Sequence, residues 1–395
     1  MNKTKNGLID DFMIEEVTMP LDREEFQIKE VQLRLISPIY FDIPFYDATM
    51  GPFDCYEPCF LRLVDATGYS GECEVPKNAI LMFEELLLPI LLDTKKRTYT
   101  ELYQKMYWRI RNEGFRGEAA LLLGHVDRIF YDLASKRAGL PLYKYLGGGS
   151  PAINSYGSGL GTNITGNDLI DQGLSWEQRG FQTIKMKFGG FNTSISEDIE
   201  RIRSVRESLK PETHLAIDAN QLMGLKRALE FIKELESTKM DIAWLEEPVH
   251  SASLTEIERL CDVSSIKISY GESERSAKIF PSIVKAGVKH LQPVAGHISS
   301  IKEWLCIAKL AHGHQLDFSA GGVSFYNAPF NAVAGETALL EYLEPVVGHA
   351  QQVFRTKPDI KNGQFILADI PGIGVEVDWL RLDKEKRITD KRIWN

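Results

Sequence analysis

The sequence predicts an α/β protein, in which a smaller α+β region precedes a closed parallel β-barrel. From about residue 151 onward, short apolar or β-branched runs alternate with amphipathic helical segments. One residue at the end of each of seven successive runs marks the spacing, and these residues lie 31, 28, 26, 22, 25 and 22 residues apart. Each interval fits one strand followed by one helix, since a parallel crossover takes a dozen or more residues. The strand ends used for this spacing are Lys187, Asp218, Glu246, Glu272, Val294, Ser319 and Glu341.

Eight such units favour a barrel over an open, doubly wound sheet. The runs are "INSYGSG", "TIKMKF", "HLAIDAN", "IAWLEEP", "KISYGES", "HLQPVAG", "HQLDFSA" and "ALLEYL". A dinucleotide-binding version of the open sheet is disfavoured because no G-x-G-x-x-G fingerprint is found. In barrels of this kind the active site lies at the carboxyl ends of the strands, where the polar residues of this sequence are concentrated.

The region before the barrel has a different pattern. Residues 25–75 predict a small antiparallel sheet, with "DATGYSG" supplying turn residues between two strand-like runs. Residues 86–146 predict helices, among them "AALLLGHVDRIFYDLASKRAG", which has apolar residues at helical spacing and ends in glycine.

Composition narrows the class of protein. A formal net charge of -9 argues against a nucleic-acid-binding surface. Five cysteines at scattered spacings indicate reduced thiols in a cytosol, and Cys55 with Cys59 lacks the second ligand pair that a zinc finger needs. The polar start of the sequence lacks an apolar signal region, and no run approaches about 18 apolar residues. We therefore expect a cytoplasmic protein without nucleic-acid or membrane partners.

Three carboxylates are candidate metal ligands: Asp218, Glu246 and Glu272 each follow an apolar run. Any one of them alone would be explained as a helix N-cap or loop residue. Together, at the ends of neighbouring strands about 5 Å apart, they would repel one another unless a cation offset the charge. All-oxygen ligation favours Mg²⁺ over Zn²⁺. Glu247 is expected to face the other way from Glu246.

Lys185 and Lys187 lie on one face of the preceding strand, in "TIKMKFGG". They would be surface residues if this were an exposed edge strand. In a strand covered on both sides they need an anionic partner, which the carboxylates and an anionic substrate would supply. An adjacent ion and Lys185 would lower the pKa of Lys187 toward a value useful for a general base.

These motifs together resemble the enolase superfamily, and within it the mandelate racemase and muconate lactonizing enzymes. The similarity covers most of the chain and rests on the order and spacing of "FYDLASKRAGLPLYKYLGG", the K-x-K of "TIKMKFGG", "IDANQ", "EEP", "GES" and "PGIGVEVD". It implies a (β/α)7β TIM-like barrel with an α+β capping domain. The expected divisions are an N-terminal extension (1–25), the capping domain (26–150), the catalytic barrel (151–345) and a C-terminal segment that returns to the capping domain (346–395).

The resemblance also implies residue roles. Mg²⁺ would lie on Asp218, Glu246 and Glu272, Lys187 would be the acid/base, and Lys185 and Glu341 would contact the substrate carboxylate. Tyr46, in a capping-domain loop of the kind that closes over the pocket, would donate a proton or merely pack. Asn220, in "IDANQ", is a further predicted substrate contact.

The sequence departs from the family at the second acid/base. Mandelate-racemase-like members place an Asp after the sixth strand and a His after the seventh, but here Val294 stands at the first position and "LDFSAGG" has no His. The sixth-strand Lys of muconate-lactonizing members is also missing, since the nearby residues are Gln292, Val294 and Ala295. His297, three residues past Val294, is either a substitute catalytic residue or a solvent-facing loop histidine.

The predicted function is therefore a Mg²⁺-dependent lyase. It would remove the proton α to a carboxylate, pass through an enediolate and dehydrate a sugar acid to a 2-keto-3-deoxy acid. The alternatives are a cycloisomerase or racemase/epimerase acting on a carboxylate, and a homologue that binds a carboxylate without turnover. The expected partner is a small-molecule carboxylate substrate, and the resemblance implies a homo-oligomer.

Overall fold

The barrel forms as predicted in a computed structural model that describes residues 17–322 and 325–395. Eight parallel strands close on themselves, since the last pairs with the first as well as with its predecessor. In chain order they are β1 (Ala152–Gly159), β2 (Thr183–Lys187), β3 (His214–Asp218), β4 (Leu245–Glu246), β5 (Ile268–Tyr270), β6 (His290–Leu291), β7 (Asp317–Ala320) and β8 (Leu339–Leu343).

One helix follows each of the first seven strands, which confirms the (β/α)7β arrangement. These are α1 (Gly166–Gln178), α2 (Ile195–Ser208), α3 (Leu225–Ser237), α4 (Leu254–Val263), α5 (Phe280–Lys285), α6 (Ile301–Gly313) and α7 (Ala328–Asn331). Local sequence sets several of the starts. Ser194 and Glu197 form a reciprocal capping box at α2, and the Ser300 side chain accepts from the Glu303 amide at α6.

The capping region is built on a four-stranded antiparallel sheet. Its strands, in spatial order, are Ile388–Trp394, Ile28–Ile36, Cys59–Asp65 and Ser70–Glu74. A hairpin of Ile39–Phe45 and Phe53–Tyr56 and the helices Tyr99–Ile110 and Glu118–Arg137 complete it. The last strand of the chain thus pairs with the first strand of this sheet, which ties the C-terminal segment to the capping region.

Shorter elements join these parts. The helical ones are Pro20–Arg23, Lys77–Ala79, Ile80–Met82, Phe83–Leu87, Leu88–Leu91, Arg111–Glu113, Leu142–Tyr145, Ala277–Ile279, Glu344–Ala350, Gln351–Val353 and Trp379–Lys384. The strand pairs are Glu25–Phe26 with Arg97–Thr98, Phe354–Thr356 with Glu376–Val377, and Asp359–Lys361 with Gln364–Ile366. Gln364–Ile366 also pairs antiparallel with the start of β1.

The predicted N-terminal extension is only partly within the described residues, because residues 1–16 lie outside them. Of the remainder, Met19 and Leu21 are buried in the main hydrophobic core. Within the described residues, no helix combines the length and the apolar character that a membrane crossing requires.

The helix Glu118–Arg137 joins the capping region to the barrel. Most of its residues are buried, including the charged Asp127, Arg128 and Asp132. Asp127 accepts a hydrogen bond from the Ile301 amide at the start of α6, at 2.7 Å, and Asp132 accepts from the Glu72 and Ile373 amides at 2.8 Å. Gly124 lies so close to the barrel that a Cβ there would stand 2.1 Å from the Ile298 carbonyl oxygen.

This contact gives a test of the junction between the two regions. Gly124→Ala gains helix propensity but places a methyl group against backbone, so we expect the free energy of unfolding to fall by about 1–3 kcal/mol. The matched control is Gly173→Ala in α1, where the nearest atoms would be 3.9 Å away. That variant should gain up to about 1 kcal/mol. Urea denaturation of both proteins measures the difference, and equal effects would contradict the close packing at Gly124.

Candidate active site

The candidate catalytic side chains converge inside the carboxyl end of the barrel. Parallel pairing places Asp218 beside Lys187 on one side and beside Glu246 on the other. Since strand side chains alternate in direction, Lys185 and Lys187 share the inward face of β2, as the sequence predicts. Lys185, Lys187, Asp218, Glu246 and Glu341 are all buried.

The two lysines are bound to carboxylates. Lys185 Nζ donates to Glu246 Oε2 at 2.8 Å and lies 3.0 Å from Glu341 Oε1 and 3.4 Å from Asp218 Oδ2. Lys187 Nζ donates to Asp218 Oδ2. Carboxylates of the same polypeptide therefore neutralise the paired lysines. The lysines are buried, so β2 is not an exposed edge strand.

Glu272 reaches the same site from the loop after β5. Gly271 precedes it with a φ of 143°, and a Cβ at that position would stand 2.9 Å from the carbonyl carbon of Gln292. Glycine therefore lets the chain turn tightly against the neighbouring strand. Within the described part of the chain, the half-buried Glu272 carboxylate forms no hydrogen bond or ion pair with a side chain, and it is thus the ligand candidate with its oxygens uncommitted.

Glu247 is a fourth buried carboxylate, although we expected it to face away. The strand ends at Glu246 and Glu247 has a φ of 38°, so strand alternation no longer sets its direction. Its Oε2 accepts from Gln221 Nε2 at 2.6 Å, while Oε1 is buried with no hydrogen-bond partner among the described residues. Gln221 also has a positive φ, of 63°. Such strained positions cluster at functional sites.

The electrostatics show that the lysines do not fully neutralise the cluster. Burial, followed by the nearby charge of Asp218, raises the pKa of Glu246 to about 8, and the same two causes raise the pKa of Glu272. Burial would also raise the pKa of Asp218, but the ammonium groups of Lys187 and Lys185 outweigh it and lower that pKa. Glu246 is therefore destabilised as an ion even though Lys185 contacts it, and Glu272 is destabilised without a cation in direct contact.

The pKa of Lys187 differs from the expectation. Burial alone lowers it, but Asp218 in direct contact, with help from Glu272 and Glu246, raises the pKa above its ordinary value. The expected lowering assumes a cation bound at the carboxylates, whereas the carboxylates by themselves raise the pKa of Lys187.

The donor set fits Mg²⁺. Among the described residues, no three acidic, histidine or cysteine side chains are gathered around one point, because Lys185 and Lys187 draw Asp218 and Glu246 toward themselves. The charges of the cluster nevertheless favour a divalent ion, because carboxylates outnumber cationic side chains. The carboxylates are Asp218, Glu246, Glu247, Glu272 and Glu341, and the cations are Lys185, Lys187 and the nearby Arg275. Arg275 Nη1 donates to the main-chain oxygens of Glu272 and Glu274, not to a carboxylate. The residues that would hold the ion are Asp218, Glu246 and Glu272, all oxygen donors.

The predicted substrate contacts lie where the capping region meets the barrel. Asn220 Oδ1 accepts from the Ala48 amide at 3.4 Å, and the Asn220 amide donates to Asp218 Oδ1 at 2.9 Å. The Tyr46 carbonyl accepts from the Thr162 amide at 3.0 Å. The Tyr46 ring packs over Gly51, where a Cβ would stand 2.5 Å from the ring. Packing of Tyr46 is thus observed, and Asn220 links the capping loop to a candidate metal ligand.

His297 lies beside Glu272 in the loop after β6. Its Nδ1 is 3.3 Å from the Glu272 carbonyl oxygen, which can only accept, so Nδ1 carries the proton. Burial, then the positive charge of Arg275, lowers the pKa of His297 to about 3. The side chain is half-buried at the site instead of facing solvent, and it is a neutral imidazole.

The wall across the barrel from Lys187 is apolar. In an eight-stranded ring, β6 lies diametrically opposite β2, and the chain after it carries the buried Val294. Val294 packs against Gly321 and Gly322, which follow β7, with a Cβ on Gly322 only 2.9 Å from Val294 Cγ1. Within residues 17–322 and 325–395, no acid/base pair occupies these two strand ends.

Two contacts of Glu246 were missed by the sequence reasoning. Gln292 Nε2 donates to Glu246 Oε1 at 2.7 Å, and Trp244 Nε1 lies 3.4 Å from Glu246 Oε2. In the sequence, Gln292 stands near the position of the family's sixth-strand lysine, and no role is predicted for it. The two-residue period that places Val294 in the pocket also turns Gln292 inward, and this signal could have found it.

Comparison with known proteins identifies relatives along most of the chain. A family model described as "Enolase C-terminal domain-like" matches residues 168–381. An arabinonate dehydratase of Saccharolobus solfataricus is 30% identical over 302 residues, which cover 74% of this chain and 80% of the relative. A 3,6-anhydro-alpha-L-galactonate cycloisomerase of Streptomyces coelicolor is 27% identical over 346 residues, 86% of this chain and 94% of the relative.

A solved structure agrees with the same family. The crystal structure of a racemase from Streptomyces coelicolor A3(2) with bound magnesium has a TM-score of 0.81 and 26% sequence identity. The match covers 90% of this chain and 99% of that one. The resemblance to the mandelate racemase and muconate lactonizing type is thus confirmed at the level of family and fold.

The buried position of Lys185 gives a test of the charge cluster. In the absence of divalent ions, Lys185→Met removes the cation between Glu246 and Glu341, and we expect a loss of about 3–5 kcal/mol in the free energy of unfolding. Lys267→Met is the matched control, because Lys267 pairs with Asp317 at 2.5 Å but both side chains are half exposed. Its loss should stay below about 1 kcal/mol. Urea denaturation measures both, and similar losses would contradict the buried ion pair.

Proposed function

The chain belongs to the Enolase C-terminal domain-like family, within the enolase superfamily, and we propose that it is a Mg²⁺-dependent lyase acting on a carboxylate substrate. The proposed reaction removes the proton on the carbon next to the carboxylate and expels a hydroxyl group from the following carbon. A sugar acid would thereby become a 2-keto-3-deoxy acid.

The observation that carries the proposal is the position of Lys187. Its ammonium group is buried and contacts Asp218, whose neighbours in the sheet and loops are Glu246 and Glu272. An amine next to three oxygen donors is the arrangement needed to remove a proton from a carbon acid whose carboxylate the same donors help to hold.

The chain's own residues divide the remaining work. When bound, Mg²⁺ would supply positive charge to the substrate carboxylate and to Asp218. Lys187, no longer dominated by Asp218, would take the α-proton. Lys185, buried between Glu246 and Glu341, would keep positive charge beside the enediolate that results. Glu341, whose Oε2 also accepts from the Gly322 amide at 2.8 Å, would orient the substrate carboxylate.

The apolar wall across the barrel supports elimination over racemisation. A racemase needs a group on each face of the α-carbon, whereas Val294 and the adjacent glycines fill the face across from Lys187. An elimination needs one base and a proton for the departing oxygen. The protonated Lys187 or a residue at the mouth, such as Tyr46, would supply that proton.

The named relatives support a sugar-acid substrate. Arabinonate dehydratase is a lyase by name, and this chain matches it over most of its length. The cycloisomerase and racemase relatives support a second candidate, in which Lys187 starts an isomerisation of a carboxylate. Cycloisomerisation can proceed from one base, so it is the stronger form of this alternative.

We also propose a cytoplasmic location and a homo-oligomer. All five cysteines are free thiols, in keeping with a reducing compartment. The capping hairpin exposes Tyr40, Ile43 and Met50, which would suit a contact between subunits.

The proposed lyase predicts a metal-dependent product. A screen of mono- and diacid sugars with Mg²⁺ should give a 2-keto acid, and chelation with EDTA should abolish it. Lys187→Ala should reduce kcat by about 10²–10⁴-fold, because proton transfer loses its base. Lys226→Ala, an exposed lysine on α3, is the control and should retain parent activity. If Lys187→Ala bound its ligand normally and the parent produced no keto acid and exchanged no α-proton, a non-catalytic binding protein would be indicated.

Incubation in D₂O separates the two enzymatic candidates. For a lyase, we expect deuterium in the keto acid with no inverted or ring-rearranged carboxylate recovered, because the β-hydroxyl leaves once the proton is removed. NMR of the product mixture measures this. Exchange, inversion or ring rearrangement without loss of water would instead favour the isomerase.

A further inference from the structure

A chain of hydrogen bonds runs through the barrel interior to Glu246. His290 Nε2 lies 2.9 Å from Ser319 Oγ, Ser319 Oγ donates to Gln292 Oε1 at 3.2 Å, and Gln292 Nε2 donates to Glu246 Oε1 at 2.7 Å. All four side chains are fully or almost fully buried. Glu246, His290 and Ser319 lie on β4, β6 and β7, and Gln292 directly follows β6. The row of hydrogen bonds therefore crosses the barrel interior from the amino-terminal half to the carboxyl end.

The donor and acceptor in each of these hydrogen bonds follow from the Glu246 carboxylate. A carboxylate only accepts, so the Gln292 amide nitrogen must face it and the Gln292 oxygen must face Ser319. Ser319 has a single proton, which it gives to Gln292. His290 must then donate from Nε2, and its Nδ1 carries no proton. That Nδ1 is buried with no hydrogen-bond partner among the described residues.

The surroundings of His290 hold this arrangement in place. The imidazole packs edge-on against Trp244, with ring centroids 4.5 Å apart, and Trp244 in turn packs against Tyr156. Burial, aided by the positive charges of Lys185 and Lys267 and opposed by Asp317, lowers the pKa of His290 to about 3. The ring is thus neutral, with one N–H group to give and one fixed direction in which to give it.

We propose that His290, Ser319 and Gln292 are positioning residues that fix the orientation of the Glu246 carboxylate and so strengthen divalent-ion binding. The inference rests on the proposed function, because it takes Glu246 as a ligand of the ion. Gln292 ties one oxygen of Glu246 and Lys185 ties the other, so the plane of the carboxylate is set before an ion arrives. Partners of this kind typically change metal affinity 10–100-fold.

The matched pair Ser319→Thr and Ser319→Val tests the chain of bonds in the full-length protein. Both variants add similar volume at a fully buried position, but only Thr keeps the hydroxyl. Without the hydroxyl, Gln292 loses the donor that fixes its amide. We expect the Kd for Mn²⁺, measured by electron paramagnetic resonance with Mg²⁺ competition, to rise about 10-fold in Ser319→Val and to stay within about 3-fold of the parent in Ser319→Thr.

Gln292→Met provides a second measurement if Ser319→Val does not fold. It conserves volume and removes both hydrogen bonds, so its Mn²⁺ Kd should rise about 10–100-fold, and the melting temperature of the ion-free protein should fall because a buried Glu246 oxygen loses its donor. Parent-like Mn²⁺ binding in Ser319→Val or in Gln292→Met would overturn the positioning role alone. A parent protein that binds neither Mn²⁺ nor Mg²⁺ would overturn the proposed function and this inference with it.

Discussion

The structure depends on one electrostatic constraint: ammonium groups and carboxylates are buried together at the carboxyl end of a barrel. Charges removed from water need partners, and here Lys185 and Lys187 meet Asp218, Glu246 and Glu341 within hydrogen-bonding distance. The lysines are fewer than the carboxylates, so the interior is stable only with further positive charge or with protonated acids. The pKa of Glu246 is raised because this carboxylate is buried and lies near the negative charge of Asp218.

The capping region is positioned by contacts that reach the same cluster. The helix Glu118–Arg137 packs on the loop that contains Ile298, one residue after His297. On the other side, Asn220 connects the Ala48 amide to the backbone that carries Asp218. The capping loop is therefore linked to the backbone around Asp218 by two successive hydrogen bonds through Asn220.

The barrel, and the convergence of the main candidate residues at its carboxyl end, could be predicted because they follow regular periods. Repeated strand and helix intervals define the fold, and alternation along β2 places Lys185 and Lys187 on one face. The predictions that differ from the structure concern side-chain direction and pKa, which depend on local backbone geometry or on residues distant in sequence. Glu247 escapes alternation because its φ is positive, and the pKa of Lys187 is set by Asp218, 31 residues later. The two-residue period turns Gln292 inward, but no local pattern shows that its partner is Glu246 on β4 or that Ser319 on β7 joins it.

The one-sided pocket follows from packing as much as from the missing residues. Gly321 and Gly322 place no side chain at the first two positions after β7, and Val294 lies where a Cβ on either glycine would meet it, at 3.3 and 2.9 Å. A histidine after β7 or an aspartate at position 294 would have to displace this contact, so restoring the second acid/base requires repacking and not a single substitution. Among the described residues, Val294 and the two glycines offer no acid or base on the face across from Lys187, which suits the proposed reaction because it needs one base.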